Sequence, residues 1–600
     1  MKKLLLTTLL IFCFGNFLLS QTYNEYEVSF DNRVHHEANI KVTFSNLENK
    51  VLEVRMSRSS PGRYAVHEFA KNVYSVKATD GKGNELPLTR PNPHQWDIAG
   101  HDGTVVFEYT LFANRAGGTY SGIDETHAHL NIPATYVWAR NYDHRPVKVK
   151  YNLPAGSNWK VATQMKDLGN DTFYAPNTYY FMDSPTEIAD FHLRERMVDG
   201  QNIRLALHTS ATDAEVDAYF EELIGIVEQQ AAVFGELPDF DFGEYTFLSC
   251  YVPNASGDGM EHRNSTYVVS GKPNDRPLGS TSMGTISHEF FHAWNVERIR
   301  PASLEPFSFE DANMSGELWF AEGFTSYYTN LIRARSGSIT AEQYVNGLGG
   351  SVSYVINAPG RKYFNPIEMS YRAPFVDAAS SIDPDNNSNI FISYYTYGSV
   401  LGLALDMSLR TMDNGKNLDD FMKHVWKTQG KPEIPYSVRD LQARLAEYAG
   451  DSFANEFFGQ HIFKSEMPDY EGLFKNMGVV FENPNAVAPT LIARIIVRST
   501  TGSMVQNALV GTPLYEAGIE KEDKILSING TSLATYQGRN VDELIADKKP
   551  GDVIEVEIDR WGEKMTKKVT LAASQNMRSS WDANANAAAQ KRREEWLKAK

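Results

Sequence analysis

Hydrophobic and polar residues alternate in short runs over the first part of the chain, from about residue 23 to residue 193. The runs NIKVTF at residues 39–44 and TVVFEY at residues 104–109 are examples, and a turn cluster, DGKGN, lies at residues 80–84. Alternation with a period of two, interrupted by turn residues, is typical of antiparallel strands with one buried face. The pattern predicts an antiparallel β domain over residues 21–195.

The spacing of the hydrophobic residues changes to a helical period at about residue 211. The run AEVDAYFEEL at residues 214–223 places apolar side chains three and four positions apart, which predicts a long amphipathic helix. Most of the chain between residues 200 and 470 follows this period. We therefore expect a mostly helical second domain over residues 196–475, and the predicted fold class is multidomain α+β.

Composition narrows the classes of protein to which the chain can belong. Its 600 residues are enough for three or four domains with sizeable cores. Lysine and arginine number 58, against 75 aspartate and glutamate residues, which gives a formal net charge of −17. So acidic a chain is a poor partner for nucleic acid or for an anionic membrane surface. Beyond residue 20, no segment is apolar enough to predict a membrane span.

Residues 1–20 contain two lysines followed by an apolar run that ends in FLLS. Such a segment is typical of a signal peptide, and an uncleaved N-terminal anchor is the alternative. We therefore expect a secreted or periplasmic protein. Because Cys13 lies inside this run, the exported chain would keep only Cys250 and form no internal disulfide.

The pentapeptide HEFFH at residues 288–292 is the clearest indication of a catalytic function in the sequence. Positions i and i+4 lie one above the other on a helix, so His288 and His292 can reach one ion. Two imidazoles suit Zn²⁺, which lowers the pKa of a bound water to about 7. Glu289, displaced around the helix, can take a proton from that water as a general base. The alternative is a helix with two surface histidines and a solvated glutamate.

A candidate third ligand follows in the run WFAEGFTSYY at residues 319–328, which predicts a largely buried helix with a single acid, Glu322. A buried carboxylate is costly unless it is paired or bound to metal. Two histidines and one glutamate, with a fourth position open to water, are a standard catalytic zinc set. A structural ion pair with an arginine such as Arg298 or Arg300 is the alternative.

Together the two segments resemble the gluzincin metallopeptidases. Three further segments narrow the resemblance: DGMEH at residues 258–262, HAWNVERIRP at residues 292–301 and SYYTYG at residues 393–398. The combination is similar to the glycyl aminopeptidase family, whose members carry a C-terminal PDZ domain. The resemblance implies a thermolysin-like catalytic domain, a Zn²⁺ cofactor and a small sheet before the zinc helix, to which residues 245–248 and 265–269 could contribute strands.

The resemblance also implies roles for residues outside the metal set. The glutamate that matches Glu261 binds the substrate's free α-amino group in related aminopeptidases, and His262 either helps to position that amine or is a packed structural residue. The tyrosine that stabilises the tetrahedral oxyanion in the relatives matches Tyr395, with Tyr394 as the neighbouring alternative. The chain departs from the relatives at Tyr397, where a lysine is expected.

Residues 476–574 resemble a PDZ domain. The segment MGVV at residues 477–480 matches the loop that receives a peptide carboxylate, and KILSING at residues 524–530 matches a strand and turn of that fold. The expected partner of this domain is a C-terminal peptide or an intramolecular segment. Residues 575–600 are polar and alanine-rich, which predicts a solvated helix or a disordered tail.

The features combine into a prediction of function. We expect a secreted zinc aminopeptidase that hydrolyses the first bond of peptides with a free N-terminus. The family name implies a preference for small first residues such as glycine and alanine. Two alternatives stay open: a zinc endopeptidase that uses the same ligands without recognising the amine, and a catalytically inactive adaptor that carries a PDZ domain.

Overall fold

The computed structural model describes residues 21–377, 386–412, 415–491, 497–498, 502–504, 506–536 and 541–600. The predicted signal segment, residues 1–20, lies outside the described residues. Within them the chain forms an N-terminal β-rich domain, a mostly helical middle domain and a β-rich C-terminal region where the PDZ domain is predicted. This arrangement confirms the predicted fold class.

The N-terminal domain is built from three sheets. Its strands and helices are β1 (Asn24–Ser29), β2 (Glu37–Phe44), β3 (Leu52–Met56), β4 (Val73–Asp80), β5 (Leu88–Asn92), β6 (Gln95–Ile98), β7 (Val105–Phe112), β8 (Gly122–Ile123), β9 (His127–Leu130), α1 (Ile132–Thr135), β10 (Val137–Ala139), β11 (Val147–Asn152), β12 (Lys160–Thr163), β13 (Lys166–Asp167), β14 (Thr172–Ala175), α2 (Thr178–Met182) and β15 (Thr186–Ala189). A seven-stranded sheet has the order β13-β14-β11-β1-β2-β7-β4, and two four-stranded sheets have the orders β10-β3-β6-β5 and β12-β15-β9-β8. Every second residue of β2 is buried, as the alternation predicts.

One strand pair in this domain departs from the predicted antiparallel arrangement. Strands β1 and β11 run parallel, with Asn24 opposite Val147 and Ser29 opposite Asn152. Parallel neighbours need a long crossover, and more than a hundred residues of other strands separate these two. A period of two cannot reveal this, because alternation is the same in both kinds of pair.

The middle domain begins with a five-stranded sheet. Its strands are β16 (His192–Val198), β17 (Gln201–Thr209), β18 (Glu244–Tyr251), β19 (Asp258–His262) and β20 (Ser265–Ser270). The order is β16-β17-β18-β20-β19, so β19 lies at the edge. Strands β18 and β20 contain the two strand segments that the resemblance implies.

Helices make up the rest of this domain. They are α3 (Asp213–Phe234), α4 (Met283–Phe291), α5 (Leu318–Ala321), α6 (Gly323–Ser336), α7 (Ala341–Asn357), α8 (Pro366–Ser370), α9 (Ala373–Val376), α10 (Asn387–Ile390), α11 (Tyr394–Thr411), α12 (Leu418–Val425), α13 (Val438–Ala449), α14 (Asp451–Phe457) and α15 (Tyr470–Asn476). The predicted amphipathic helix is α3, which begins with a capping box between Thr212 and Glu215 and ends before Gly235 in the left-handed conformation. Among the described residues, no helix combines the length and the apolar character that crossing a bilayer requires.

Helices α6 and α11 touch through two glycines. A β-carbon added to Gly398 would lie 1.8 Å from the carbonyl oxygen of Trp319 and 2.7 Å from the α-carbon of Gly323. Only hydrogen fits at that contact, so both positions require glycine if the helices are to approach this closely. The contact fixes the start of α11 beside the junction of α5 and α6.

The C-terminal region contains a small sheet with a short helix. Its elements are β21 (Val479–Glu482), β22 (Pro489–Thr490), β23 (Val497–Arg498), β24 (Ser503–Met504), α16 (Pro513–Glu516), β25 (Asp523–Ile528), β26 (Thr531–Ser532), β27 (Val553–Arg560), β28 (Glu563–Thr570), β29 (Ala572–Ala573), β30 (Arg578–Trp581) and α17 (Ala587–Leu597). Strands β23, β24, β25, β27 and β28 follow one another in the sheet, and β26 pairs with β25.

The predicted carboxylate-binding segment at residues 477–480 is placed differently from the expectation. Met477 and Val479 are buried in the hydrophobic core of the middle domain. Strand β21 pairs with β30, and the carbonyl oxygen of Gly478 accepts a hydrogen bond from the backbone N–H of Asp582 at 3.0 Å. The match of this segment to a carboxylate-binding loop is therefore wrong: its short apolar-glycine-apolar pattern also suits a buried strand start.

The tail contains the predicted helix, but it is neither disordered nor fully solvated. Residues 578–597 form β30 and α17, both packed against the middle domain, and Trp596 is fully buried. The guanidinium of Arg335 donates to the carbonyl oxygen of Trp596 at 2.8 and 3.1 Å. The mean polarity of the tail hides this contact, because most of α17 faces solvent while Ala589 and Trp596 are buried.

Candidate active site

Three side chains from two helical segments converge in a cleft between the N-terminal and middle domains. His288 lies in the last turn of α4, His292 follows that helix in helical conformation, and Glu322 joins α5 to α6. Oε2 of Glu322 lies 3.3 Å from Nε2 of His288 and 3.2 Å from Nε2 of His292. The predicted alternative partners of Glu322 point elsewhere: Arg298 donates to Asn264 Oδ1 and Arg300 to Glu305 Oε1.

Hydrogen bonds fix which nitrogen each imidazole offers to the cleft. Nδ1 of His292 lies 2.6 Å from the carbonyl oxygen of Asn295, which can only accept, so Nδ1 carries the proton. Nδ1 of His288 lies 3.2 Å from the hydroxyl of Thr329, whose own proton goes to the carbonyl oxygen of Thr325. Both rings therefore direct Nε2 towards Glu322, as metal-binding histidines direct the corresponding nitrogen towards their ion.

The electrostatics of the cleft favour a cation. Glu261, Glu289 and Glu322 are 5%, 6% and 2% exposed, respectively. Burial raises the pKa of Glu289 well above its usual value, and the neighbouring carboxylates of Glu261 and Glu322 raise it further. Burial lowers the pKa of His292, but Glu322 and Glu261 outweigh it and raise the value to about 10. Crowded buried carboxylates are stable when a positive charge lies among them, so the donors fit a divalent metal ion.

Glu289 occupies the position expected of a general base. It follows His288 on α4, and its carboxylate faces the edge strand β19. A β-carbon on Gly259 would lie 2.3 Å from Oε1 of Glu289 and 2.4 Å from Cγ2 of Thr285, so glycine makes room for the carboxylate. Donor atoms of Glu261, Glu289 and His292 lie within 4.8 Å of one another.

Glu261 and His262 lie on opposite faces of β19, as neighbours in a strand must. Glu261 lines the cleft, whereas His262 points away from it and places Nδ1 2.8 Å from Oδ1 of Asp183. The prediction that His262 helps to bind substrate therefore finds no support in its position, and the packed alternative describes it. Arg263, two residues further along the chain, pairs with Asp241 and Glu433 and not with Glu261.

The tyrosine cluster at the start of α11 separates into three environments. Tyr395 lines the cleft, with its ring centroid 5.9 Å from that of His288. Tyr394 is buried and packs edge-on against Tyr64, with ring centroids 6.3 Å apart. Tyr397 lies in the hydrophobic core of the middle domain, so the side chain at this position does not contribute a polar group to the cleft as the lysine of the relatives would. Of the two alternatives for the oxyanion role, Tyr395 is the one that faces the metal donors.

The N-terminal domain contributes two residues that the sequence did not predict. Oη of Tyr64 donates to Oε1 of Glu322 at 2.8 Å, and its backbone N–H donates to Asp377 at 2.9 Å. Arg63 lines the cleft and donates to Oδ1 of Asp258, the first residue of β19, at 2.6 Å. No local pattern marks these residues, because a loop far away in sequence brings them to the site.

The complete lining of the cleft follows from these elements. It comprises Gly62, Arg63, Asp258, Gly259, Glu261, Gly284, Thr285, His288, Glu289, His292, Glu322, Thr329 and Tyr395.

Comparison with protein-family models matches three parts of the chain. Residues 25–190 match the peptidase M61 N-terminal domain, residues 281–401 match the M61 glycyl aminopeptidase model, and residues 476–571 match a PDZ domain. In the first two of these parts the chain is similar to the M61 glycyl aminopeptidases. The matches indicate a metallo-aminopeptidase and confirm the predicted family resemblance.

Solved structures show how far the fold of this chain is shared. An aminopeptidase N family protein from Idiomarina loihiensis superposes with a TM-score of 0.83 at 24% identity, over 96% of this chain and 99% of that one. An M1 zinc metallopeptidase from Deinococcus radiodurans gives a TM-score of 0.43 at 13% identity, over 75% of this chain and 95% of that one. The first likeness shows that the whole architecture recurs. No curated protein was found to match the chain in sequence.

Proposed function

We propose that this chain is a zinc aminopeptidase that removes the first residue from peptides with a free N-terminus. His288 and His292 would hold the ion through Nε2 and Glu322 through a carboxylate oxygen, leaving a fourth position open. Zinc bound there supplies a Lewis acid that lowers the pKa of water to about 7 and polarises the scissile carbonyl. Support comes from three donor atoms that lie within 4.8 Å of one another and from the orientation of both rings.

In this proposal Glu289 and Tyr395 carry the proton and the developing charge. The carboxylate of Glu289 takes a proton from the attacking water and passes it to the nitrogen of the leaving peptide. The phenol of Tyr395 donates a hydrogen bond to the carbonyl oxygen as that oxygen becomes negative. Burial, and next the charge of Glu322, raise the pKa of Tyr395 well above 10.0, so the phenol keeps its proton.

The observation that carries the aminopeptidase assignment is the place of Glu261. Its carboxylate is buried on the edge strand β19, within 4.8 Å of donor atoms of Glu289 and His292. An α-ammonium bound by Glu261 would therefore place the first peptide carbonyl beside the base and the ion. A substrate without a free amine leaves that buried carboxylate unpaired, which selects against it.

A preference for small first residues is supported by the loop that closes this end of the cleft. Gly62 has a φ of +77°, and a β-carbon there would lie 2.2 Å from Sδ of Met260 and 2.8 Å from Oε2 of Glu261. The N-terminal domain thus lies directly against the amine-binding end. Because little space separates this loop from Glu261, we propose that glycine and alanine are the favoured first residues.

The decisive experiment compares free peptides with their N-acetylated forms. Losing a charge-assisted hydrogen bond costs about 1.5–3 kcal/mol, so wild type should cleave free alanyl and glycyl substrates at least about tenfold faster. Glu261→Ala should erase most of that preference while retaining metal. Glu433→Ala removes a neighbouring, exposed carboxylate and serves as the matched control.

The outcomes distinguish the three candidate functions. Equal cleavage of free and acetylated substrates by wild type would favour the zinc endopeptidase. No turnover by metal-loaded protein would favour the inactive adaptor. Elemental analysis gives an independent check of the ligands, since Glu322→Ala should lose the zinc of the cleft.

We also propose that the PDZ domain has an intramolecular partner. The side-chain amide of Asn389, on α10, donates to the carbonyl oxygen of Ala508 at 3.0 Å, and its oxygen accepts from the N–H of Val510 at 2.8 Å. Helix α10 leads directly into α11, which begins with Tyr394 and Tyr395. Asn389→Ala should lower kcat without removing metal, and unchanged kcat would argue against this coupling.

A further inference from the structure

A second group of potential metal ligands lies outside the catalytic cleft. It consists of His127 on β9, Glu187 on β15, His208 on β17 and Cys250 on β18. One potential donor atom of each lies within 4.8 Å of the others. Strands β9 and β15 belong to the N-terminal domain, and β17 and β18 to the middle domain. The group therefore joins the two domains at their packed sheets.

Two of the four side chains hold buried polar atoms that are unsatisfied. His127 is 1% exposed, and Glu187 and Cys250 are each 0% exposed. Among the described residues, Nε2 of His127 and Oε1 of Glu187 have no hydrogen bond of acceptable geometry. An unsatisfied buried polar atom costs about 1–3 kcal/mol, and an ion bound by both atoms would remove that cost.

Outer hydrogen bonds turn these atoms towards a common point. Nδ1 of His127 lies 3.1 Å from Oδ1 of Asp124, which leaves Nε2 free of a proton when the ring is neutral. Oη of Tyr267 donates to Oε2 of Glu187 at 2.9 Å, which leaves Oε1 as the donor atom. A carboxylate that holds the far nitrogen of an imidazole is a common support of metal-binding histidines.

The separations between donor atoms suit a four-coordinate ion. Nδ1 of His208 lies 3.6 Å from both Sγ of Cys250 and Oε1 of Glu187. Tetrahedral zinc has bonds of about 2.0–2.3 Å, which places its ligand atoms roughly 3.3–3.8 Å apart. Only small movements of the side chains would therefore be needed to bind an ion.

We propose that His127, Glu187, His208 and Cys250 form a second, structural zinc site that joins the N-terminal domain to the middle domain. A donor set of two imidazoles, a carboxylate and a thiolate binds zinc in preference to magnesium or calcium. The protein fills all four positions, as in structural rather than catalytic zinc sites. The site holds the two domains in the relative position that brings Tyr64 to Glu322.

The test uses full-length protein loaded with cobalt(II), whose bonds to thiolate give a charge-transfer band in the near ultraviolet. The catalytic donors include no sulfur, so the band reports only the second site. Wild type should bind two equivalents of cobalt and show the band. Glu322→Ala should bind one equivalent and keep the band, whereas Cys250→Ser should bind one equivalent and lose it.

Several results would overturn the proposal. If wild type binds one equivalent of cobalt and shows no thiolate band, the cluster is a hydrogen-bonded group of protein side chains and not a metal site. A band that survives in Cys250→Ser would assign the thiolate to another cysteine. If Cys250→Ser does not fold, His208→Gln replaces it, because His208 is the most exposed of the four.

A stability measurement completes the test. In Glu322→Ala a chelator can remove only the second ion, so its thermal midpoint should fall when chelator is added and recover with zinc. An unchanged midpoint would contradict a structural role. These readouts do not use peptide hydrolysis, so a failure of the aminopeptidase assignment would leave them unaffected.

Discussion

The indole Nε1 of Trp596 donates a hydrogen bond to the phenol oxygen of Tyr327 at 3.0 Å. The phenol in turn donates to Oδ2 of Asp406, so its proton and its lone pair are both used. Tyr327 lies on α6, the helix that begins directly after Glu322. The end of the described chain thus supports the helix behind the metal donors.

Trp596→Ala should destabilise the protein by about 3–5 kcal/mol, because it removes a fully buried aromatic side chain and leaves a cavity. Denaturant unfolding followed by circular dichroism measures the loss. Lys591→Ala, on the exposed side of the same helix, is the control and should change stability little. Equal midpoints for Trp596→Ala and wild type would show that the tail does not pack there in solution.

Tyr64→Phe should weaken metal binding in the cleft without unfolding the protein. The change removes only the hydroxyl that donates to Oε1 of Glu322. Losing such a support of a metal ligand typically costs about 10–100-fold in affinity or activity. Competition with a zinc chelator measures the affinity, and Tyr74→Phe, which changes an exposed side chain on β4, is the matched control. Unchanged affinity would remove Tyr64 from the site.

Glu289→Gln should keep the metal but lose at least about 10²-fold in kcat, the usual scale of general acid–base catalysis. The amide has nearly the same shape as the carboxylate and cannot accept the proton of the water. Steady-state kinetics and elemental analysis of the same preparation check both parts. Near-normal turnover with metal bound would show that another group acts as the base.

Gly398→Ala should destabilise the protein by roughly 1–3 kcal/mol or more, since the new methyl group meets backbone atoms that cannot move independently. It should also lower kcat, because α11 carries Tyr395. Gly347→Ala is the matched control: it lies in helix α7, where an added β-carbon meets nothing within 4 Å. That control should be neutral or slightly stabilising. Equal stability of Gly398→Ala and wild type would contradict the close helix contact.

The pKa of His67 gives a prediction for pH. Burial, and then the positive charge of Arg63 and Arg115, lower it from 6.5 to about 4. Between these values the unfolded chain binds a proton that the folded protein does not. The neutral ring therefore contributes full stability above pH 6.5, and this contribution is lost as the pH falls through about 4.

His67→Phe keeps the stacking on Phe69 and removes the titration. The free energy of unfolding of wild type should therefore fall more steeply than that of the variant when the pH is lowered from 6.5 to 4, by on the order of 2–3 kcal/mol. Urea unfolding at several pH values measures both curves. Parallel curves would show that the pKa of His67 is not lowered by folding.

Local patterns predicted the parts of the site that local structure determines. The four-residue spacing of His288 and His292 places them on one face of a helix. The position of Glu322 as a lone acid among aromatic residues marks it as a buried carboxylate. Both features can be recognised within a short stretch of sequence. The same reasoning, applied to a strand, would have placed His262 on the face opposite Glu261. The role of Tyr64 could not be predicted from local sequence, since its position depends on how two domains pack.

The tail and the second group of metal ligands were missed for related reasons. A single aromatic, Trp596, attaches a helix that is otherwise polar, so average composition gives no sign of the contact. His127, Glu187, His208 and Cys250 have no recognisable spacing, because four separate strands deliver one residue each. Long-range pairing of strands brings them together.

The contribution of Tyr64 to the cleft has a consequence for how this activity is inherited. A recombination event that joined the middle domain to an unrelated β domain would pass on the three proposed metal donors and the proposed base. It would leave behind the phenol that donates to Glu322 and the glycine loop that lies against Glu261. We therefore expect selection to act on the two domains as one unit, with a change on either side of their boundary matched by the other side.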